Sequence, residues 1–216
     1  GPTAEAMVES AARHLTMLEE VGFHDYLLSL KSSDLKTMIA AYRLAAQRFD
    51  CPLHLGVTEA GTERLGLIKS AIGIGALLLD GIGDTIRVSL TADPVREIAA
   101  ARDILRSLGG EGSGPQLISC PTCGRTRIDV IGLAHQVEDA LRDVPIDCKV
   151  AVMGCAVNGP GEAREADLGI AGGDGCGVVF VRGEIVEKVP ESELLPALLR
   201  HLKEWERGNG KHSARI

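Results

Sequence analysis

Pro52-Leu53-His54-Leu55-Gly56-Val57-Thr58-Glu59-Ala60-Gly61 is the stretch that decides the fold. Residues 52–57 read as a short strand, and 58–61 as its polar exit toward a helix over 62–73. Upstream, Asp34 can cap a helix over 35–49. Before that, His24 to Leu30 reads as a short buried strand ending in Lys31-Ser32-Ser33-Asp34. Ala4, Met7, Val8, Ala11, Ala12, Leu15, Leu18 and Val21 form one helical stripe over 4–21, with Gly22 as its stop. Downstream, Ala76 to Leu79 is a strand-like run, and Thr85 to Leu90 is another. Pro94 opens a helix that runs to Leu108. Strands alternating with helices through short connections indicate a parallel α/β arrangement.

The strand ends carry polar groups: Lys31 and Ser32, then Thr58 and Glu59, then Arg87 and Ser89. In parallel barrels and open sheets, ligands sit at the C-terminal strand ends. The blander reading makes these residues caps and solvated loops, and for Asp34 a cap is preferred. A full eight-stranded barrel takes about 250 residues, whereas 1–109 hold roughly three or four strand–helix units.

Composition narrows the function. Of 216 residues, 45% are hydrophobic and 25% charged, as in an ordinary globular chain. Aromatics are only 3%, so the core is Leu, Ile, Val and Ala, which suits covered parallel sheets. The same scarcity argues against a single-stranded nucleic-acid binder, which needs stacking platforms. A net charge of −7 argues against general affinity for nucleic acid or anionic membranes. The longest apolar run, Ala71 to Leu79, is too short to span a bilayer and contains Gly73 and Gly75. With no visible secretory signal, a cytoplasmic location is expected, where the six Cys need not form disulfides and a close Cys pair more often means metal or redox chemistry.

Gly109-Gly110-Glu111-Gly112-Ser113-Gly114-Pro115 is a glycine-rich linker. It divides the chain into 1–110, a link at 111–115, and a second domain over 116–216. In that domain, Gln116 to Ser119, Asp147 to Met153, Leu168 to Ala171, Gly177 to Arg182 and Glu184 to Val189 read as strands. Asp129 to Leu141 and Glu191 to Glu206 read as helices.

Cys120-Pro121-Thr122-Cys123 is a C-x-x-C pair, and Cys155 follows in Met153-Gly154-Cys155-Ala156-Val157-Asn158-Gly159-Pro160-Gly161-Glu162. Both segments follow strands, so adjacent strands could bring the three thiols together. Surrounding glycines would let backbone N–H groups approach inorganic sulfide. A thioredoxin-type dithiol needs a helix starting at the first Cys, and leaves Cys155 unexplained. A structural zinc site needs four closed ligands, and no second C-x-x-C or H-x-x-x-H is present. An iron–sulfur cluster ranks first, zinc second and dithiol third. Cys51, Cys148 and Cys176 read as buried small hydrophobes.

Four motifs then resemble those of the 4-hydroxy-3-methylbut-2-enyl diphosphate synthase family of the methylerythritol phosphate pathway. They are Ser119 to Arg125, Met153 to Glu162, Leu55 to Gly61, and Ile86-Arg87-Val88-Ser89-Leu90-Thr91. The resemblance implies the C-terminal part of a TIM-type (β/α)8 barrel over 1–110 and a small α/β [4Fe–4S] domain, similar to a sulfite-reductase module, over 116–216. It implies a cluster held by Cys120, Cys123, Cys155 and Glu162, with Glu162 as a harder, displaceable ligand. Lys31, Arg87, Ser89 and Asn158 match substrate-binding positions, and Thr58 and Glu59 positions beside the reacting carbons. The reaction implied is the oxidoreductase step that opens and dehydrates 2-C-methyl-D-erythritol 2,4-cyclodiphosphate. Two electrons arrive from ferredoxin or flavodoxin, in a homodimer. Half the family's barrel is absent, so this chain is expected to be a fragment, inactive alone. The competing class is a non-catalytic metal-binding or electron-carrier module, which has no use for a displaceable Glu162.

Overall fold

The computed structural model describes residues 2–109, 112, 114–155, 161 and 163–209. The chain forms two compact units, Gly1–Leu108 and Gly109–Ile216.

In the first unit, α1 (Ala4–Glu20) starts where Thr3 accepts the Ala6 N–H, and buries Val8, Ala11 and Leu15. It ends in a Schellman motif: Gly22, at φ +73°, donates to Glu19 O at 2.9 Å, and Phe23 donates to Leu18 O at 2.9 Å. Helix α2 (Leu35–Arg48) is capped by Asp34, which accepts the Thr37 N–H at 2.8 Å. It buries Met38, Ala41, Tyr42 and Ala45 on one stripe. Strand β1 (His54–Gly56), helix α3 (Glu63–Leu79), strand β2 (Thr85–Arg87) and helix α4 (Pro94–Leu108) follow. The strands pair in parallel with His54 opposite Thr85 and Gly56 opposite Arg87. Leu55 and Val57 face the core formed with Met38, Tyr42, Ile74 and Leu77.

Two expected strands are absent. Over 24–30 only a single parallel bridge forms, Leu28 with Leu53. Leu28 donates to Pro52 O and His54 to Leu28 O, so the next ladder bond would run from Leu30 N–H to His54 C=O. The buried Tyr42 hydroxyl stands between them instead: Leu30 N–H donates to it at 3.0 Å, and it donates to His54 O at 2.6 Å. A side-chain relay thus replaces the ladder where the strand would have grown. Ala76–Leu79 is not a strand either, but the last turn of α3. Gly73 does not end that helix. A Cβ there would lie 2.8 Å from Met38 Cε and 2.9 Å from Val57 Cγ2, so the glycine permits close packing.

The second unit is a mixed five-stranded sheet ordered β3-β4-β5-β6-β7. Its strands are β3 (Gln116–Ser119), β4 (Lys149–Met153), β5 (Leu168–Gly172), β6 (Cys176–Val181) and β7 (Glu184–Pro190). The first three are parallel; β5, β6 and β7 are antiparallel. Arg182 and Gly183, both at positive φ, form the two-residue hairpin turn between β6 and β7. Helix α5 (Val130–Leu141), capped by Asp129, and the C-terminal α6 (Leu194–Asn209) cover one face. There Val137, Leu194 and Leu198 meet Val150, Val152, Ile170 and Val179. On the other face Met153, Ala171 and Phe180 pack with Ala163 and Ala166. Among the described residues, no helix is long and apolar enough to cross a membrane.

Candidate active site

In the first unit the candidate residues meet at the ends of β1 and β2. Strand alternation places His54 and Gly56 on the face opposite Leu55, and the register sets Thr85 and Arg87 beside them. The Lys31 stem crosses this face over Gly56: a Cβ at Gly56 would lie 3.0 Å from Lys31 Cε and 2.9 Å from Arg87 O. Glycine therefore lets the ammonium approach Arg87. Burial first, then the neighbouring Arg87 charge, lowers the Lys31 pKa. Neither cation makes an ion pair with a carboxylate among the described residues. Two like charges brought together without an acid can receive an anion.

Beyond the strands the two exits stay side by side. Thr91 donates to Gly61 O at 2.9 Å, and Thr62 bridges Thr91. Thr58 and Glu59 thus lie on one exit, and Ser89 on its neighbour. Thr58 N–H reaches Ser32 O at 3.4 Å, tying in the segment that carries Lys31. Glu59 is exposed at φ +51°, a left-handed conformation uncommon for a residue with a Cβ. Sequence reading missed His54, which shares the face with Arg87. Its Nδ1 lies 2.8 Å from Thr85 Oγ1. Burial, then Lys31 and then Arg87 hold its pKa below the ordinary histidine value. The signal lay in the Thr85 pairing, which one strand's sequence does not reveal.

In the second unit the cysteine segments leave adjacent parallel strands at the same sheet edge. Cys120 N–H donates to Val152 O at 3.2 Å, extending the β3–β4 ladder. Gly154 N–H then donates to Cys120 Sγ at 3.1 Å, and Arg127 N–H to Gly154 O at 3.0 Å. The C-x-x-C loop is thereby folded over the segment that leads to Cys155. Cys123 N–H donates to Thr126 Oγ1 at 3.1 Å. Backbone and then side-chain hydrogen bonds from Arg125 lower the pKa of the exposed Cys123 thiol, which favours the ligating thiolate. Cys155 is half-buried.

This donor set suits a thiophilic centre: three thiols near one edge, one already receiving a backbone N–H. Among the described residues, no three His, Cys, Asp or Glu side chains are gathered closely enough to hold a metal ion. Glu162 and Asn158 lie outside the described residues. The helix that a thioredoxin-type dithiol needs at Cys120 is absent, since α5 begins only at Val130. Of the remaining cysteines, Cys148 is buried, and burial followed by Asp167 and Asp147 pushes its thiol up to about 12. Cys51 and Cys176 are half-buried rather than in the core.

Residues 1–102 match the family model for the GcpE TIM-barrel domain, and residues 116–204 that for the GcpE protein C-terminal domain. The chain is 59% identical over 199 residues to a Clostridium perfringens protein named 4-hydroxy-3-methylbut-2-en-1-yl diphosphate synthase (flavodoxin), covering 92% of this chain and 57% of that one. Proteins of the same name from Brevibacillus brevis and Geobacter sulfurreducens are 58% identical over 203 residues and 57% identical over 202. These alignments cover 94% of this chain in both cases, and 56% and 57% of the two relatives. The chain spans just over half the length of the curated relatives it matches. With both domain models matched in order along one chain, it belongs to the GcpE family.

Proposed function

We propose that this chain supplies the C-terminal part of a (β/α)8 barrel and the sulfite-reductase-like cluster domain of a 4-hydroxy-3-methylbut-2-enyl diphosphate synthase. The reaction is the reductive opening of 2-C-methyl-D-erythritol 2,4-cyclodiphosphate with loss of water, at a cost of two electrons. Cys120, Cys123, Cys155 and Glu162 hold a [4Fe–4S] cluster. Held there, such a cluster would supply one-electron transfer, with a flavodoxin or ferredoxin as the donor. The relatives' names carry flavodoxin, which favours that donor. The protein is a cytoplasmic homodimer in this reading.

The chain's own residues divide the remaining work. Lys31 and Arg87 neutralise the diphosphate, Arg87 as a fork and Lys31 as a point charge. Ser89 and Asn158 add hydrogen bonds to the substrate. Thr58 orients the reacting carbons, and Glu59 gives its proton to the departing hydroxyl. Burial and then the Arg87 charge lower the Lys31 pKa, and a diphosphate bound between the two cations would offset the second of these.

The observation that carries the reading is the hydrogen bond from Gly154 N–H to Cys120 Sγ, which ties the two cysteine segments together at one sheet edge. Anaerobic reconstitution followed by iron and sulfide analysis tests it. Iron and acid-labile sulfide in equal amounts are expected; zinc without sulfide overturns the cluster assignment. A Glu162→Cys variant that keeps full activity in the reconstituted enzyme overturns the role of Glu162 as a displaceable ligand.

A further inference from the structure

His54 shares its sheet face with Lys31 and Arg87, yet the proposed reaction gives it no role. Its main chain is pinned: the amide donates to Leu28 O at 2.8 Å, and the carbonyl accepts from Tyr42 Oη at 2.6 Å and Ser29 Oγ at 2.9 Å. Its ring is oriented by Thr85, through the 2.8 Å contact between Nδ1 and Oγ1. Nε2 makes no hydrogen bond among the described residues. The Thr85 hydroxyl can serve either state of the ring, donating to a bare Nδ1 or accepting from a protonated one.

The surrounding charges are one-sided. Lys31 approaches from the segment before α2, and Arg87 from β2; both act on the ring with positive charge. Tyr42 from α2 offers a neutral hydroxyl, and the nearby Asp84 carboxylate is engaged by the Leu53 N–H at 2.7 Å. With no anion in the site, burial and the two cations keep the imidazole neutral near physiological pH. An oxyanion held between Lys31 and Arg87 would reverse the sign of that field.

We propose that His54 is the third cationic group of this site, taking up one proton from solvent as a diphosphate oxyanion binds and donating to that anion through Nε2. The inference rests on reading Lys31 and Arg87 as an anion site. It goes further in making binding proton-linked, so that the site carries two fixed charges and one conditional charge. The linkage has a definite sign. The bound form holds the extra proton, so affinity rises as pH falls toward the pKa of the free ring.

Inorganic pyrophosphate is the probe. Calorimetric titrations in two buffers of different ionisation enthalpy count protons taken up on binding, for the wild-type chain, for His54→Gln, and for Lys31→Met with Arg87→Met. At pH values above the pKa of the free ring, the wild type should take up as much as one proton more than His54→Gln. Its affinity should also fall more steeply with pH, by up to about tenfold per unit. Using the variant as reference removes the titration of pyrophosphate itself. Equal proton uptake and equal pH slope in wild type and His54→Gln, with both binding, overturn the role of His54 and leave the anion site intact. Unchanged binding in the double variant, or no binding by the wild type, overturns the anion site and this inference with it. If His54→Gln does not fold, imidazole NMR of the wild type decides. The His54 titration midpoint should move upward with saturating pyrophosphate, and an unmoved midpoint overturns the proposal.

Discussion

The two units satisfy their backbone in different ways. In the second, five strands close their hydrogen bonds through one continuous ladder, and helices α5 and α6 cover one sheet face. In the first, two strands of three residues pair with each other, and a tyrosine hydroxyl replaces the next ladder bond. Apolar surface follows the same division. Leu65, Ile68, Ile72 and Leu79 on α3 and Val95 and Ile98 on α4 are exposed, up to 75% at Leu79, whereas in the second unit the large exposed apolar residues are Ile131, Ile185 and Val186 among the described residues. A short sheet with polar strand ends leaves its charged groups unpaired and available to a ligand. A full ladder spends its backbone on itself and carries reactive thiols at its edge. Different probes can follow the two: the single Trp, Trp205, lies in the second unit, and both Tyr, Tyr26 and Tyr42, in the first.

The largest contrast should come from metal content. Cys120→Ala, Cys123→Ala or Cys155→Ala should each reduce reconstituted iron and sulfide to background, while Lys31→Met and Arg87→Met leave both unchanged. Loss of iron in the lysine or arginine variants would break the division of labour between the units.

Glycine substitutions sharpen the comparison next. A Cβ at Gly169 would strike the Phe180 ring and lie 2.8 Å from Ala151 O, in a sheet that cannot shift without breaking its ladder. Gly169→Ala should cost about 3 kcal/mol, the upper end for overpacking. At Gly73 the nearest neighbour is the flexible Met38 Cε, so Gly73→Ala should cost nearer 1 kcal/mol. Denaturant midpoints from Trp emission for the first variant and Tyr emission for the second measure both. Tyr42→Phe should fall between them, at about 1–3 kcal/mol, because it leaves Leu30 N–H and His54 C=O without their shared partner.

These same residues mark where sequence reading works and where it stops. Asp34 announces its helix start because a cap is a local bond, closed within three residues. The strand expected over 24–30 fails because its competitor, Tyr42, lies on another element. The helix expected over 62–73 runs on to Leu79 because Gly73 serves close packing, and a glycine used for packing has the same letter as one used for φ. Lys31 and Arg87 can be picked out as charges at strand ends, but the bare Gly56 surface between them depends on the fold. His54 could not be singled out, since its importance comes from a register with β2 that only pairing reveals.

Acid titration gives the smallest effect and still separates the units. His54, a base with a lowered pKa, accepts its proton less readily folded than unfolded. The unfolded chain therefore binds more protons in that window, and stability falls as pH drops below about 6.5 toward the folded pKa. In the second unit, hydrogen bonds from His201 and then Arg200 lower the pKa of Glu187. Its contribution is complete above the ordinary carboxylate range and is lost as pH falls through the lowered value. Both groups lose stability in acid, but in separate windows. Tyr emission should therefore report a falling denaturant midpoint for the first unit while Trp emission from the second is still unchanged. His54→Gln should abolish the earlier loss and leave the later one, and Glu187→Gln the reverse. Coincident Tyr and Trp transitions at every pH would mean that the two units unfold as one, and would end the comparison.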